Sequence, residues 1–284
     1  MTLVVFGEDM YTAAVIESLV KAGHHVSLLV TPDNGTANFK VLDEVTEKYG
    51  IDFVKTENIN SETVAEKIRE IKPGLIVSAH LRRILKKEIF SLAEKGAINI
   101  HPSLLPKYRG LSPQHQAIIH GDSESGVTVH FIEADVDTGN IVLQKKFSIE
   151  KDDYILQVQA KMLAIYKTIV VEAVQLIESG SFEPIKQDLA ERSYFGPLKK
   201  SDREIDLSKT GEQVYNLIRA VSLPYKGAFY KEYVLWTAEM TDDGALKNKY
   251  KDAGLYFEEA EDRIIVRLKE DVLISEDFEI KQIK

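Results

Sequence analysis

The chain has 284 residues, 44% of them hydrophobic and 29% charged, the balance of a globular protein long enough for one full domain and a smaller one. It contains no cysteine, which excludes disulfides, thiolate zinc sites and a cysteine nucleophile together. Its net charge of −9 weighs against nucleic acid as a partner, because that binding rests largely on phosphate neutralisation by Lys and Arg, and no apolar run approaches the ~18 residues a membrane span needs.

The first residues, Met1-Thr2-Leu3-Val4-Val5-Phe6, enter a strand directly and lack the basic n-region of a signal peptide, so a cytoplasmic location is expected. Short apolar runs then alternate with amphipathic stretches of helical length. Strands are predicted at Leu3 to Phe6, His25 to Val30, Leu75 to Ser78 and Ala97 to His101. Helices are predicted at Thr12 to Lys21, Val41 to Tyr49, Ser61 to Ile71 (with Asn60 or Ser61 as cap) and Ile84 to Glu94. This alternation implies βαβ units and a mostly parallel sheet with helices on both faces. Such sheets bind ligands beyond the carboxyl ends of their strands, at a switch point. After residue 125 the pattern changes. Val127 to Ile132 and Ile141 to Gln144 read as a strand pair around a turn-rich stretch, and Tyr154 to Glu178 as one long helix. Beyond a linker at Ser181-Phe-Glu-Pro come a helix, Val214 to Val221, and short β-type runs at 228–230, 234–239, 263–268 and 272–275. Two domains are expected: residues 1–185, α/β, and residues 186–284, small, β-rich and barrel-like.

Phe6-Gly7-Glu8-Asp9 follows the first strand, where a dinucleotide enzyme would carry three glycines. Only one is present, so it reads as a plain strand-to-helix turn. The strongest signal is Asn99-Ile100-His101-Pro102-Ser103-Leu104-Leu105-Pro106-Lys107-Tyr108-Arg109-Gly110. Asn99 and His101 stand two apart on a strand and therefore share a face. In a sheet covered on both sides, such polar groups need partners or a task; a satisfied structural pair is the alternative. Asp135-Val136-Asp137-Thr138-Gly139-Asn140 would most simply be a turn, but it follows a strand that could return Asp137 to His101. Asn, His and Asp together suit acyl-type transfer to an amine. Imidazole and amide can hold a developing oxyanion, and the carboxylate can orient the imidazole and help take the amine proton. No covalent intermediate is needed, in keeping with the lack of Cys and of a Gly-x-Ser-x-Gly elbow.

Asn99-x-His101-Pro-Ser-Leu-Leu-Pro-Lys-Tyr-Arg-Gly, with Gly126-Val-Thr-Val-His and Asp137-Thr-Gly, resembles the folate-dependent formyltransferases. The resemblance runs from the first strand to about residue 185 and extends weakly through Tyr194-Phe-Gly-Pro and Leu217 to Phe229. It implies a Rossmann-like N-terminal domain, Asn99, His101 and Asp137 as the catalytic trio, and 10-formyltetrahydrofolate as co-substrate, with no metal. It further implies that backbone near Arg83, Ile84 and Leu85 and the loop of Glu133, Ala134, Asp135 and Val136 hold the pterin.

The family's acceptors differ. The purine enzyme normally lacks both a C-terminal domain and a Leu-Leu-Pro-Lys-Tyr-Arg-Gly loop. The methionyl-tRNA enzyme carries a basic insertion after the second strand, whereas residues 30–40 here hold one Lys and one Asp. The acidic stretches 258–262 and 275–279 would repel phosphate, although such runs are usually a solvated face. Lys107-Tyr108-Arg109-Gly110-Leu111-Ser112-Pro113 and Phe195-Gly-Pro look more like the nucleotide-sugar N-formyltransferases, including the half of the lipid-A aminoarabinose enzyme that formylates. Leu111 departs from the Arg found there. The expectation is a nucleotide-linked amino sugar as acceptor, within cell-surface polysaccharide biosynthesis. Lys107, Tyr108 and Arg109 then meet diphosphate and base, and neither nucleic acid nor membrane is a partner. A homodimer is left open. Methionyl-tRNA formyltransferase is the runner-up, and a non-catalytic folate-binding module the third reading.

Overall fold

The structure, a computed structural model, describes residues 1–33, 35 and 38–281. Two compact units are distinguishable. Met1–Gly110, Gly126–Phe147 and Lys161–Tyr194 form the first; Leu111–Ser125, Ser148–Ala160 and Phe195–Lys284 form the second.

The first unit begins β1 (Thr2–Gly7), α1 (Met10–Lys21), β2 (His25–Pro32), α2 (Phe39–Tyr49), β3 (Asp52–Thr56), α3 (Glu62–Ile71), β4 (Leu75–Ala79), α4 (Lys87–Phe90), β5 (Ala97–His101) and the two-residue β6 (Arg109–Gly110). After α5 (Pro113–Ile119), which lies in the second unit, come β7 (Glu124–Phe131), β8 (Ile141–Ser148), α6 (Ile155–Ser179) and the two-residue β9 (Tyr194–Phe195). Seven strands form one sheet in the order β3-β2-β1-β4-β5-β7-β8. The first five are parallel, and β7 runs antiparallel to β5. The chain moves outward from β1 through β2 to β3, then crosses back to β4 on the other side of β1. The gap between the carboxyl ends of β1 and β4 is therefore the switch point.

β1 shows why the sheet is covered twice. Leu3 and Val5 face one cluster with Val15, Ile16 and Leu19 of α1 and Met162, Tyr166, Ile169 and Val170 of α6. Val4 and Phe6 face the other, with Val64 and Ile68 of α3 and Ile89 of α4. Strand side chains alternate sides, so a continuous apolar run marks burial on both. Each such side chain contributes roughly 1.5–3 kcal/mol relative to exposure. The strand ends at Gly7, where only glycine fits: a Cβ there would meet Thr12 Oγ1 at 2.1 Å and the Ala79 carbonyl at 2.4 Å.

Several elements differ from expectation, among them Pro113–Ile119, Gly244–Lys249, Gly254–Glu258 and Phe278–Ile280, for which no element was predicted; two in the first unit bear on the site. The helix predicted over Ile84 to Glu94 shortens to the single turn Lys87–Phe90. The Asn60 side chain accepts from Lys86 N (2.8 Å) and donates to the Ile84 carbonyl (3.0 Å), so those groups are taken from any helix. β3 was not anticipated; it is an edge strand of Asp-Phe-Val-Lys-Thr, mostly half-exposed, without the apolar run of its neighbours.

In the second unit, α7 (Gly211–Ala220) starts with a reciprocal cap between Thr210 and Gln213. Its Arg219 is buried and donates to Asn216 Oδ1 and to the carbonyls of Glu150 and Asp153. There follow β10 (Ala228–Tyr230), β11 (Tyr233–Leu235), β12 (Glu239–Thr241), α8 (Gly244–Lys249), β13 (Gly254–Glu258), β14 (Arg263–Arg267), β15 (Val272–Ser275) and β16 (Phe278–Ile280). They pair antiparallel as β10-β11-β16 and β12-β15-β14-β13. Among the described residues no helix is long and apolar enough to cross a membrane.

Candidate active site

Asn99 and His101 project from the same face of β5, as their spacing requires. The antiparallel register sets His130 of β7 opposite Asn99 and Thr128 opposite His101. Directly opposed residues share a face, so His130 joins the pair. Beyond β7 the chain loops out and returns, with Phe131 N donating to the Asn140 carbonyl at 2.9 Å. Inside this loop Asp137 adopts φ +54°, a left-handed conformation that Asp tolerates. Gly139 is required, since a Cβ there would lie 1.8 Å from the Phe131 carbonyl. The buried Gln187 amide donates to the carbonyls of Asp137 (3.0 Å) and Gly139 (2.7 Å). The loop is thus held folded onto the sheet end.

The Asp137 carboxylate is where these elements meet. Oδ2 accepts from Gly110 N at 2.9 Å and lies 3.5 Å from His101 Nδ1. Oδ1 accepts from Asn99 Nδ2 at 3.4 Å and lies 3.4 Å from His130 Nε2. Burial alone would raise this carboxyl, but His101, His130 and the Gly110 N–H outweigh it and hold the group far below the usual carboxylate range, hence ionised. His101 is fully buried. Desolvation lowers its pKa, partly opposed by Asp137 and the Tyr108 carbonyl, with His130 and His80 adding to the lowering. Its Nε2 donates to the Tyr108 carbonyl at 2.8 Å, so both ring nitrogens face oxygen. Only the imidazolium could donate to both.

The segment after β5 is pinned from several sides. Ser103 Oγ donates to the Lys107 carbonyl (2.7 Å), Tyr108 N to Ser193 Oγ (2.8 Å) and Arg109 N to the Ser193 carbonyl (2.9 Å). Lys107 is exposed and Tyr108 and Arg109 half-buried. Arg109 Nε is buried and has no partner among the described residues, a costly state that a ligand would relieve. Arg83 and Ile84 are exposed, while Leu85 is packed with Ile89 in the core. Glu133, Ala134 and Asp135 are exposed on the loop and Val136 half-buried.

The structure therefore brings Asn99, His101 and Asp137 together and adds His130, which the Gly126-Val-Thr-Val-His motif contained without a task attached. Gln187 had no sequence signal. Nor did a further pair: Asp9, just past β1, and His80, just past β4, are hydrogen-bonded through Asp9 Oδ2 and His80 Nδ1. The His80 ring packs on Tyr11 at 4.7 Å between centroids, and Tyr11 on Tyr166 at 5.5 Å. Burial pushes the Tyr166 phenol well above its ordinary value, and the charges of Asp9 and Asp137 both add to this. Its hydroxyl donates to the Ile100 carbonyl at 2.9 Å.

Comparison with known proteins gives the family and the fold. The profile of the family described as formyl transferase matches residues 1–174, and that of the formyl transferase C-terminal domain matches residues 197–283. A methionyl-tRNA formyltransferase of Thermotoga maritima is 33% identical over 226 residues, 78% of this chain and 72% of that one. Among solved structures, an N-formyltransferase from Helicobacter canadensis in complex with folinic acid and dTDP-3-aminofucose superposes with a TM-score of 0.75. It covers 97% of this chain and 98% of its own at 22% identity. A sugar 3N-formyl transferase, in the presence of dTDP and 5-N-formyl-THF, gives 0.73 at 22% identity, covering 98% and 97%.

Proposed function

The chain belongs to the formyl transferase family, and from that premise we propose that it transfers a formyl group from 10-formyltetrahydrofolate to the amine of a nucleotide-linked amino sugar. The observation that carries the chemistry is the largely buried, ionised Asp137 carboxylate shared by Asn99, His101, His130 and Gly110 N–H at the sheet's carboxyl end. When bound, 10-formyltetrahydrofolate supplies the formyl group. Asn99 Nδ2 and the His101 imidazole are donors for the oxygen on which charge develops as the amine attacks. Asp137 fixes both donors and favours the cationic form of His101. His101 Nε2 is engaged with the Tyr108 carbonyl in this structure, so donation from that nitrogen requires Tyr108 to yield.

The exposed Ile84, the backbone around it and the open loop 133–136 suit a flat ring with polar edges. Arg109, with its orphaned Nε, suits one diphosphate, alongside Lys107 and Tyr108. A small acceptor of this kind needs few cations, whereas tRNA needs many. The net charge of −9 and the single Lys in residues 30–40 favour the former. The full-length likeness to structures described with dTDP or a dTDP-sugar points the same way. Methionyl-tRNA remains the second reading because the sequence relatives at 33% identity bear that name.

The test is formyl transfer from 10-formyltetrahydrofolate to a panel of dTDP- and UDP-amino sugars and to Met-tRNA. Tetrahydrofolate release is expected with one or more of the sugars. Release with the tRNA alone, accompanied by tight, salt-sensitive tRNA binding and no affinity for dTDP or UDP, overturns the sugar reading.

A further inference from the structure

Two residues of the site hold a backbone conformation that side chains disfavour. Asp137 sits at φ +54° and Tyr108 at φ +56°. Asp137 carries the shared carboxylate, and the Tyr108 carbonyl accepts from His101 Nε2 at 2.8 Å. Left-handed residues other than glycine persist only where the surroundings over-determine them. One short segment, the chain after α6, supplies a tie to each. The Gln187 amide donates to the Asp137 carbonyl at 3.0 Å, and Tyr108 N donates to Ser193 Oγ at 2.8 Å.

The other contacts of the segment lead to the same two loops. Ile185 bridges to Ile141, each N donating to the other's carbonyl at 2.8 Å, which seats the segment beside the strand that leaves the Asp137 loop. Two residues on, Gln187 is buried and Nε2 also donates to the Gly139 carbonyl at 2.7 Å. Both amide hydrogens are then used, while Oε1 is buried with no partner among the described residues. An orphaned buried acceptor weakens a fold, so what Gln187 contributes lies in its two donors. The turn Leu189–Glu191 carries the chain to Ser193. Ser193 N donates to the Pro106 carbonyl at 3.3 Å and its own carbonyl accepts from Arg109 N at 2.9 Å. The next residue, Gly110, donates its N–H to Asp137 Oδ2. From Ile185 to Tyr194, Gln187 is buried, Ser193 half-buried and every other described side chain exposed. The inward contacts of this stretch are therefore hydrogen bonds to the site and not apolar packing.

We infer that residues 185–193 are a strap that sets the geometry of the formyl-transfer site, with Gln187 and Ser193 as its positioning residues. The inference rests on the formyl-transfer reading above. Gln187 fixes the loop that brings the Asp137 carboxylate to Asn99 and His101. Ser193 fixes the stretch from Pro106 to Gly110, from which the Tyr108 carbonyl meets His101 and the Gly110 N–H meets Asp137. Both act through Asp137 and His101, and the catalytic part of the chain runs past the boundary expected at residue 185.

The test measures formyl transfer by the full chain with whichever acceptor of the panel the wild type uses, sugar or tRNA. Gln187→Met keeps the length of the side chain and removes both donors. It is expected to lower kcat by about 10²-fold, the cost of misplacing a group by about 1 Å. The KM for the acceptor stays within a few-fold of wild type and the melting temperature within about 4 °C. In an Asp137→Asn background the same change is expected to cost less than about three-fold further, because both substitutions act on one group. Ser193→Ala is expected to lower kcat about 10-fold, roughly what one hydrogen bond is worth, and Ser193→Thr, which keeps the hydroxyl, to restore it. Where Gln187→Met does not fold, the Ser193 pair decides by itself. Wild-type kcat in Gln187→Met or in Ser193→Ala overturns the proposal. So does full additivity of Gln187→Met with Asp137→Asn, and so does a Ser193→Thr as impaired as Ser193→Ala. A wild type that formylates no amine overturns the transfer reading and the strap's role with it, whereas equal turnover by wild type and Gln187→Met overturns the strap alone.

Discussion

Replacing Asp137 with Asn keeps its size and removes its charge, and the consequence can be worked from the contacts. The two carboxylate oxygens face donors on both sides: Oδ2 accepts from Gly110 N at 2.9 Å, and Oδ1 from Asn99 Nδ2 at 3.4 Å. An amide has one oxygen and one NH₂, so either orientation opposes donor to donor. A buried donor left unsatisfied costs about 1–3 kcal/mol. Loss of the negative charge also removes what favours protonated His101 in a desolvated site. The expected outcome is a fall in kcat of roughly 10²–10³, the size of effect of losing one oxyanion donor, with folinic acid binding within a few-fold of wild type. The pH dependence has a definite sign. The Asp137 carboxyl lies below its unfolded value when folded, so its contribution to stability is full above the ordinary carboxylate range, begins to be lost as pH falls into that range and is gone only below the depressed folded value. Asp137→Asn should therefore be less stable near neutrality and lose less on acidification. The assays are tetrahydrofolate release at saturating acceptor, calorimetric folinic acid binding, and thermal unfolding from pH 7 down to pH 3. A kcat within three-fold of wild type, with folinic acid still bound, would refute the role given to this carboxylate.

Asn99→Ala and His101→Ala are each expected to lower turnover by roughly 10²–10³ while far-ultraviolet dichroism stays native; activity within a few-fold of wild type in either variant removes that residue from the mechanism. In the second unit, His115 is buried against Tyr225 and its Nδ1 donates to the Ala220 carbonyl at 2.7 Å. Burial lowers its pKa to about 4, the carbonyl partly opposing. The unfolded ring takes a proton near the ordinary histidine value of 6.5, so stability is full above that pH and declines as pH falls towards about 4, by up to about 3 kcal/mol. His115→Gln, which can still donate to Ala220, should flatten the melting-temperature profile between pH 7 and 4.5, and identical profiles for variant and wild type would contradict this.

Much of the first unit was legible because its signals are local. The Leu3 to Phe6 run predicts a strand buried on both faces, and Leu3 with Val5, against Val4 with Phe6, face separate clusters. The spacing of Asn99 and His101 predicts a shared face, and β5 provides it. What lay beyond reach depends on pairings that no short stretch encodes. Ile84 to Glu94 has helical periodicity, yet Asn60, 24 residues before Ile84, takes up the backbone groups a helix would need. β3 becomes a strand through its pairing with β2. Asp9 and His80 are 71 residues apart, and each read alone is an ordinary polar residue in a turn.

The amino-acid order by itself determined most of the strands and long helices of the first unit, that the sheet has two apolar faces, and which polar residues project together from a single strand. Those properties follow from side-chain alternation and periodicity over a few residues. Tertiary structure alone decided which strand ends lie side by side, that Asp137 turns back to meet His101 and His130, and that Asp9 reaches His80 across the switch point. Strand order and register bring groups far apart in the chain to within hydrogen-bonding distance. Where side chains are taken out of solvent, such neighbours decide what each imidazole can still bond.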